Sequence, residues 1–208
     1  MGPTHVDIIG RHGALSDYPA ERAAILRVTT GHSADNTNMK RLVIYNHGKD
    51  SSPWGEKTLV FAEVAKRHGY MFESPDYRHQ LNPDERVKQL LAKDLSNYDE
   101  IVLMGSSMGA YVATVAAETI KPSGLFLLAP AFYLPGYLRT EFNPQADHTR
   151  VIHGWQDDIV PPEHAWRFCQ KHQIRLMMLN SDHRLISELP VLAEEFERFL
   201  GDIKSPHG

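Results

Sequence analysis

The chain has 208 residues, of which 42% are hydrophobic and 23% charged, an ordinary globular composition and enough length for one domain with a sizeable core. A formal charge of −4, with no Lys/Arg run and no alternation of aromatic and basic residues, argues against a nucleic-acid surface. The single cysteine, Cys169, excludes an internal disulfide and any multi-cysteine metal site, and it reads as a small hydrophobe on a helix face.

The opening MGPTHVDIIGRHG lacks a positive region followed by an apolar one, as a secretory signal would need. Val6 also stands where a myristoylation signal wants Ser or Thr. No apolar run approaches the roughly 20 residues of a membrane span, so a soluble, cytoplasmic protein is expected. Residues 1–40 leave their structure open: Val6 to Ile9 and Ile25 to Thr30 read as edge strands, Ala20 to Leu26 equally as helix, and Gly31 to Asn38 as loop.

From residue 41 onward, strand-like and helix-like segments alternate. Leu42-Val43-Ile44-Tyr45 is a short apolar run ending at Asn46-His47-Gly48. Ser52-Pro53 then offers an N-cap with proline at the first helical position, and Val60, Phe61, Val64 and Ala65 supply a helical stripe up to Gly69. Tyr70 to Ser74 is a weak strand. Asn82-Pro83-Asp84-Glu85 resembles a capping box ahead of Val87, Leu90, Leu91 and Leu95 at helical spacing. A strand over 101–104, a helix from Ser107 to about Ile120 and a strand over 125–128 follow. Val151-Ile152 is another strand, Pro162 opens a helix, and Ile174 to Leu179 is the last strand. Leu192, Phe196, Phe199 and Leu200 mark a closing helix.

Such alternation implies a mostly parallel sheet with helices on both faces. Parallel strands are covered on both sides, which accounts for continuous apolar runs in place of alternating ones. No repeat or linker interrupts the chain, so one domain over 1–208 is expected.

The chemistry concentrates at the carboxyl ends of three strands. Gly105-Ser106-Ser107-Met108-Gly109 fits G-x-S-x-G at a strand–turn–helix junction, a pattern that exposes the central serine above the sheet. Only Ser107 has a glycine two residues away on each side, so Ser106 is the filler whose hydroxyl supports the turn. HGWQDDIVP, residues 153–161, begins at the end of a second strand and carries Asp157 and Asp158. Asn180-Ser181-Asp182-His183-Arg184 follows the last strand. Groups on these loops share one sheet edge, and the order Ser…Asp…His matches that of α/β-hydrolases. The negative charge on a tetrahedral intermediate needs prepositioned N–H donors. Met108, next to Ser107 at a helix N-terminus, offers one, and the loop His47-Gly48-Lys49-Asp50 offers the other. That loop is not a phosphate loop: no glycine lies five residues before Gly48 and no Ser or Thr follows Lys49. The twelve histidines show no metal-ligand spacing, so neither metal nor cofactor is expected.

These three segments resemble the α/β-hydrolases over about residues 41–200. GSSMGAY resembles the nucleophile elbow, HGWQDDIVP the segment with the acid, and SDHR the segment with the histidine. The combination is particularly similar to small serine esterases and acyl-protein thioesterases of the acyl-glucuronide esterase and depalmitoylase branch. Ala110-Tyr111 departs from the Gly-aromatic pair often found after the elbow. The resemblance implies an α/β-hydrolase fold with a minimal cap and a Ser107–Asp157–His183 triad. It places the acid three residues before Val160-Pro161, at Asp157, with Asp158 facing solvent or capping the loop. It also assigns the second oxyanion donor to the backbone of Lys49. A small-molecule ester or thioester is the implied substrate, hydrolysed through an acyl-enzyme on Ser107. A peptidase or acyltransferase with the same triad, and a non-catalytic binding protein of the same fold, are the alternatives. The insert from Ala131 to Thr149 is short, and its Phe132, Tyr133 and Tyr137 either wall an acyl pocket or seal the sheet edge.

Overall fold

The computed structural model describes residues 39–204, all of which fall in the compact unit Asn38–Gly208. The strands and helix weighed for residues 6–9, 20–26 and 25–30 lie outside the described residues. Six parallel strands form one sheet: β1 (Arg41–Asn46), β2 (Met71–Glu73), β3 (Glu100–Ser106), β4 (Gly124–Leu128), β5 (His148–Gly154) and β6 (Arg175–Leu179). Their order is β2-β1-β3-β4-β5-β6. The chain therefore reverses direction across the sheet once, after β2, setting β3 on the other side of β1 and then adding each later strand beside the last. Every β1, β3 and β4 residue from Leu42, Val102 and Gly124 to the strand end is buried. Cover on both faces explains their unbroken apolar character.

The five helices are α1 (Glu56–Arg67), α2 (Pro83–Leu91), α3 (Met108–Ile120), α4 (Pro162–His172) and α5 (Leu189–Lys204). Helices α1 and α5 cover one face, where Phe61, Val64, Phe196 and Phe199 pack on Val43, Val102 and Phe126. The other face belongs to α2, α3 and α4, where Leu90, Tyr111, Ala113 and Phe168 meet Leu42, Leu103 and Leu125. Helix α3 is buried at every position from Met108 to Ala117, so it lies inside the molecule instead of presenting an amphipathic stripe. Cys169 sits buried on α4, where desolvation pushes its thiol up to about 12, as suits a packing residue. Among the described residues no helix is long and apolar enough to cross a membrane.

Two boundaries differ from the sequence expectation. Ser52-Pro53 does not open α1: the helix starts at Glu56 with Gly55 as its N-cap, because Pro53 is buried in the preceding turn and cannot also lead a helix along the surface. Helix α2 stops at Leu91, so Leu95 reaches the core from the following turn. The expected cap of α2 is present: the Asn82 side chain accepts from the N–H groups of Asp84 (2.9 Å) and Glu85 (3.2 Å).

Candidate active site

The turn between β3 and α3 is tight enough to dictate its residues. A Cβ on Gly105 would lie 2.3 Å from the Gly109 carbonyl oxygen, and one on Gly109 would lie 1.8 Å from the Asn46 carbonyl oxygen. Neither position admits a side chain. Between them Ser107 takes φ 55° and ψ −120°, a left-sided conformation that costs a non-glycine residue about 1–3 kcal/mol. The strain lifts Ser107 into a partly exposed position while Ser106 stays buried. Ser106 turns inward, where its hydroxyl accepts from Lys57 Nζ at 3.0 Å. Lys57 also donates to the Arg184 carbonyl at 2.8 Å, so one side chain from α1 ties the β3 turn to the loop after β6. Burial, and after it the Arg184 charge, lower the Lys57 pKa to about 8 although Asp182 pulls the other way.

Asp157 and His183 meet directly. His183 Nδ1 lies 2.7 Å from Asp157 Oδ2, which leaves Nε2 as the ring atom free to face a substrate or a hydroxyl. Asp158, by contrast, is exposed. The Asp157 carboxylate has further donors: Oδ1 accepts from the N–H groups of Ile159 (2.9 Å) and Val160 (2.8 Å), and Oδ2 lies 3.0 Å from His153 Nε2. Burial alone would raise its pKa, yet the hydrogen bonds from His153, His183 and Val160 outweigh burial and hold it well below the usual carboxylate range. His153 is fully buried, and its Nε2 also lies 3.0 Å from the Val160 carbonyl. An Nε2–H placed between two acceptors serves both, so His153 acts as a second histidine behind the acid. Gly154 makes room for this loop: a Cβ there would meet the Ser181 carbonyl oxygen at 2.2 Å.

The N–H groups of Lys49 and Met108 make no hydrogen bond among the described residues. Gly48 runs beside the turn, since a Cβ on it would lie 3.7 Å from Ser107 Cβ. The structure thus gathers Ser107, Met108, Gly48 and Lys49 at one end of the sheet, and Asp157 with His183 on the loops after β5 and β6 at the same edge. The insert begins against the turn, where the Ala131 N–H donates to the Ser107 carbonyl at 3.2 Å. Phe132 is fully buried, with its ring 4.4 Å from that of Phe168 and 4.6 Å from that of Phe142. Tyr137 stacks edge-on against Tyr111 at 4.8 Å, and Tyr133 against Phe142 at 5.7 Å.

His153, Lys57 and Arg86 were not singled out by sequence as working residues. The only signal for His153 is its place directly before Gly154 at a strand end. Nothing marks Lys57 or Arg86 among the 22 Lys and Arg residues.

Comparison with solved structures places the fold. A protein from Xanthomonas campestris pv. campestris assigned as a hydrolase of the α/β superfamily is 28% identical, covers 77% of this chain and 98% of its own, and superposes with a TM-score of 0.70. Est1E from Butyrivibrio proteoclasticus is 16% identical, with 82% of this chain and 91% of that one covered at a TM-score of 0.68. XC6422 from Xanthomonas campestris, described as an α/β serine hydrolase without lid, is 19% identical over 85% of this chain and 87% of its own at a TM-score of 0.61. The last two, being distant in sequence, speak for the fold alone. Together these likenesses give the chain the α/β-hydrolase fold and support a hydrolase. No curated protein matches the chain. A family profile matches residues 42–151, from β1 into β5, taking in the Ser107 turn and stopping short of Asp157 and His183. By that match the chain belongs to the uncharacterised protein family UPF0227.

Proposed function

We propose that the protein is a serine hydrolase that cleaves a carboxylic ester or thioester through an acyl-enzyme on Ser107. The observation that carries this reading is the 2.7 Å contact between His183 Nδ1 and a buried, ionised Asp157, on the sheet edge that also presents the strained Ser107. His183 Nε2 takes the proton as Ser107 Oγ attacks the carbonyl carbon, and Asp157 orients the ring and stabilises the imidazolium. The N–H groups of Met108 and Lys49 receive the developing oxyanion. The imidazolium then protonates the leaving alcohol or thiol, and water attacks the acyl-enzyme by the same route in reverse. The short, core-packed connection between β4 and β5 favours substrates whose reacting carbonyl is accessible, as in the small esterases and acyl-protein thioesterases that the motifs resemble.

Labelling with a fluorophosphonate tests the reading. Wild type and Ser106→Ala are expected to label, and Ser107→Ala is not. Wild type should also turn over members of a panel of p-nitrophenyl esters and acyl thioesters of graded length. Labelling that survives in Ser107→Ala removes Ser107 from the mechanism.

A further inference from the structure

The loop bearing Lys49 is held from behind by two buried side chains that the catalytic reading leaves unused. The Gly48 carbonyl oxygen lies 2.8 Å from His47 Nδ1, 3.4 Å from Arg86 Nη1 and 3.3 Å from Ser51 Oγ. Which His47 nitrogen carries the proton follows from its other contact. His47 Nε2 lies 2.9 Å from the Tyr77 main-chain nitrogen; that N–H can only donate, so Nε2 accepts and Nδ1 donates to Gly48. Burial, together with the nearby Arg86 charge, lowers the His47 pKa, which keeps the ring in this neutral form although the Gly48 carbonyl and Asp76 pull the other way.

Arg86 does the wider work. Its side chain is fully buried, and its four hydrogen bonds among the described residues all go to main-chain carbonyls: His47 at 3.0 Å, Gly48 at 3.4 Å, Tyr77 at 3.2 Å and Gln80 at 2.6 Å. The guanidinium also lies 5.2 Å from the centre of the Tyr77 ring. Only arginine carries enough donors in a fixed fork to hold these separate segments at once. A cation buried on carbonyls, without a hydrogen-bonded carboxylate, is a costly way to close a loop unless the direction of the carbonyls matters.

The direction does matter at Lys49. In a trans peptide the N–H points opposite to the preceding carbonyl. Fixing the Gly48 carbonyl toward Arg86 and His47 therefore fixes the Lys49 N–H in the opposite sense, on a loop that passes beside Ser107. We propose that Arg86 and neutral His47 are positioning residues of the oxyanion site, locking the Gly48–Lys49 peptide so that its N–H is aimed before negative charge develops. The proposal rests on the reading of Ser107 as the nucleophile. It assigns the loop's rigidity to the transition state, since a donor that must first rotate into place forfeits part of its effect.

The test compares matched aryl esters and thionoesters (C=O against C=S) in wild type, Arg86→Lys, His47→Phe and His47→Asn. Sulfur accepts hydrogen bonds poorly, so the oxo/thiono ratio of kcat/KM reports on the oxyanion donors and a general loosening of the fold does not change it. Arg86→Lys and His47→Phe are expected to lower kcat by about 10–100-fold, less than the roughly 100–1,000-fold loss seen when an oxyanion donor is removed outright. KM should stay within about twofold, and the oxo/thiono ratio should shrink in parallel with kcat. His47→Asn, whose amide can still donate to Gly48, should recover part of both. Thermal melts show which variants fold, and if Arg86→Lys does not, the His47 pair decides. Folded variants that keep the wild-type ratio, whether or not they lose rate, overturn the clamp alone. A wild type that neither labels nor hydrolyses overturns the hydrolase reading and the clamp with it.

Discussion

At the scale of single residues, the Asp157 carboxylate is held by four hydrogen-bond donors. Asp157 takes hydrogen bonds from two histidines and two main-chain N–H groups. Its pKa is depressed in the folded protein, so between that value and the unfolded one, about 3.9, the unfolded chain binds more protons. Stability from this group is thus complete above about pH 5 and is lost as pH falls through the folded pKa. His153→Phe removes one donor and moves the folded pKa back toward 3.9, so it shrinks that contribution. The urea midpoint of His153→Phe should fall below that of wild type at neutral pH, and the gap should narrow as pH drops below about 4. A gap of constant size across this range would mean that His153 packs beside Asp157 without supporting its charge. Sequence placed Asp157 and His183 on one edge because each closes a strand. It did not mark His153, Lys57 or Arg86, whose partners are carbonyls or side chains brought near only by folding.

At the scale of elements, local chemistry and tertiary packing decide different boundaries. Helix α2 starts where the sequence says, because Asn82 supplies its own cap within three residues. Asn82→Ala should cost about 1 kcal/mol in urea unfolding, and Asn82→Asp, which keeps the acceptor, much less. An unchanged midpoint for Asn82→Ala would assign the boundary to packing. Helix α1 shows the opposite balance. Its Ser-Pro signal is as good locally, yet the turn buries Pro53 and the helix waits until Glu56. The strands were the most legible elements. Leu42 to Tyr45, Ile101 to Met104 and Leu125 to Leu128 are apolar without interruption since both faces are covered. Edge strand β2, with its exposed Met71 and half-buried Phe72 and Glu73, lacks that signature.

At the scale of the whole molecule, the outer layers are joined to the sheet by polar as well as apolar contacts. Arg150 on β5 pairs with Glu195 on α5 at 2.8 Å and with Asp202 at 3.0 Å, while Glu195 also accepts from Arg198 at 2.7 Å. Arg150 and Glu195 are both buried, so removing Glu195 leaves the buried Arg150 charge with the half-exposed Asp202 as its remaining partner. Glu195→Leu should destabilise the protein by less than the roughly 3–5 kcal/mol of a wholly unpaired buried charge, since Asp202 remains, whereas Arg150→Met combined with Glu195→Leu should recover most of the loss, as apolar replacements of buried pairs often do. Urea unfolding of the two single variants and the double variant measures the coupling; additive losses would show that the pair acts independently. Neither partner stands out in the sequence, because a charge on a strand and a charge on a helix are each ordinary until the two surfaces meet.

The strand order has a consequence for a chain still emerging from the ribosome. After β2 the sheet grows in one direction only, from β3 to β6, in the order of synthesis. A nascent chain that has reached β4 already contains the residues of the Ser107 turn, but Asp157 and His183, the acid and base of the proposed mechanism, follow strands not yet made. At ordinary rates of synthesis, His183 follows Ser107 by about 4–15 s. On the proposed mechanism the serine is an unactivated alcohol throughout that interval. On the same proposal reactivity arrives last, when β6 closes the edge and the loop behind it delivers the imidazole.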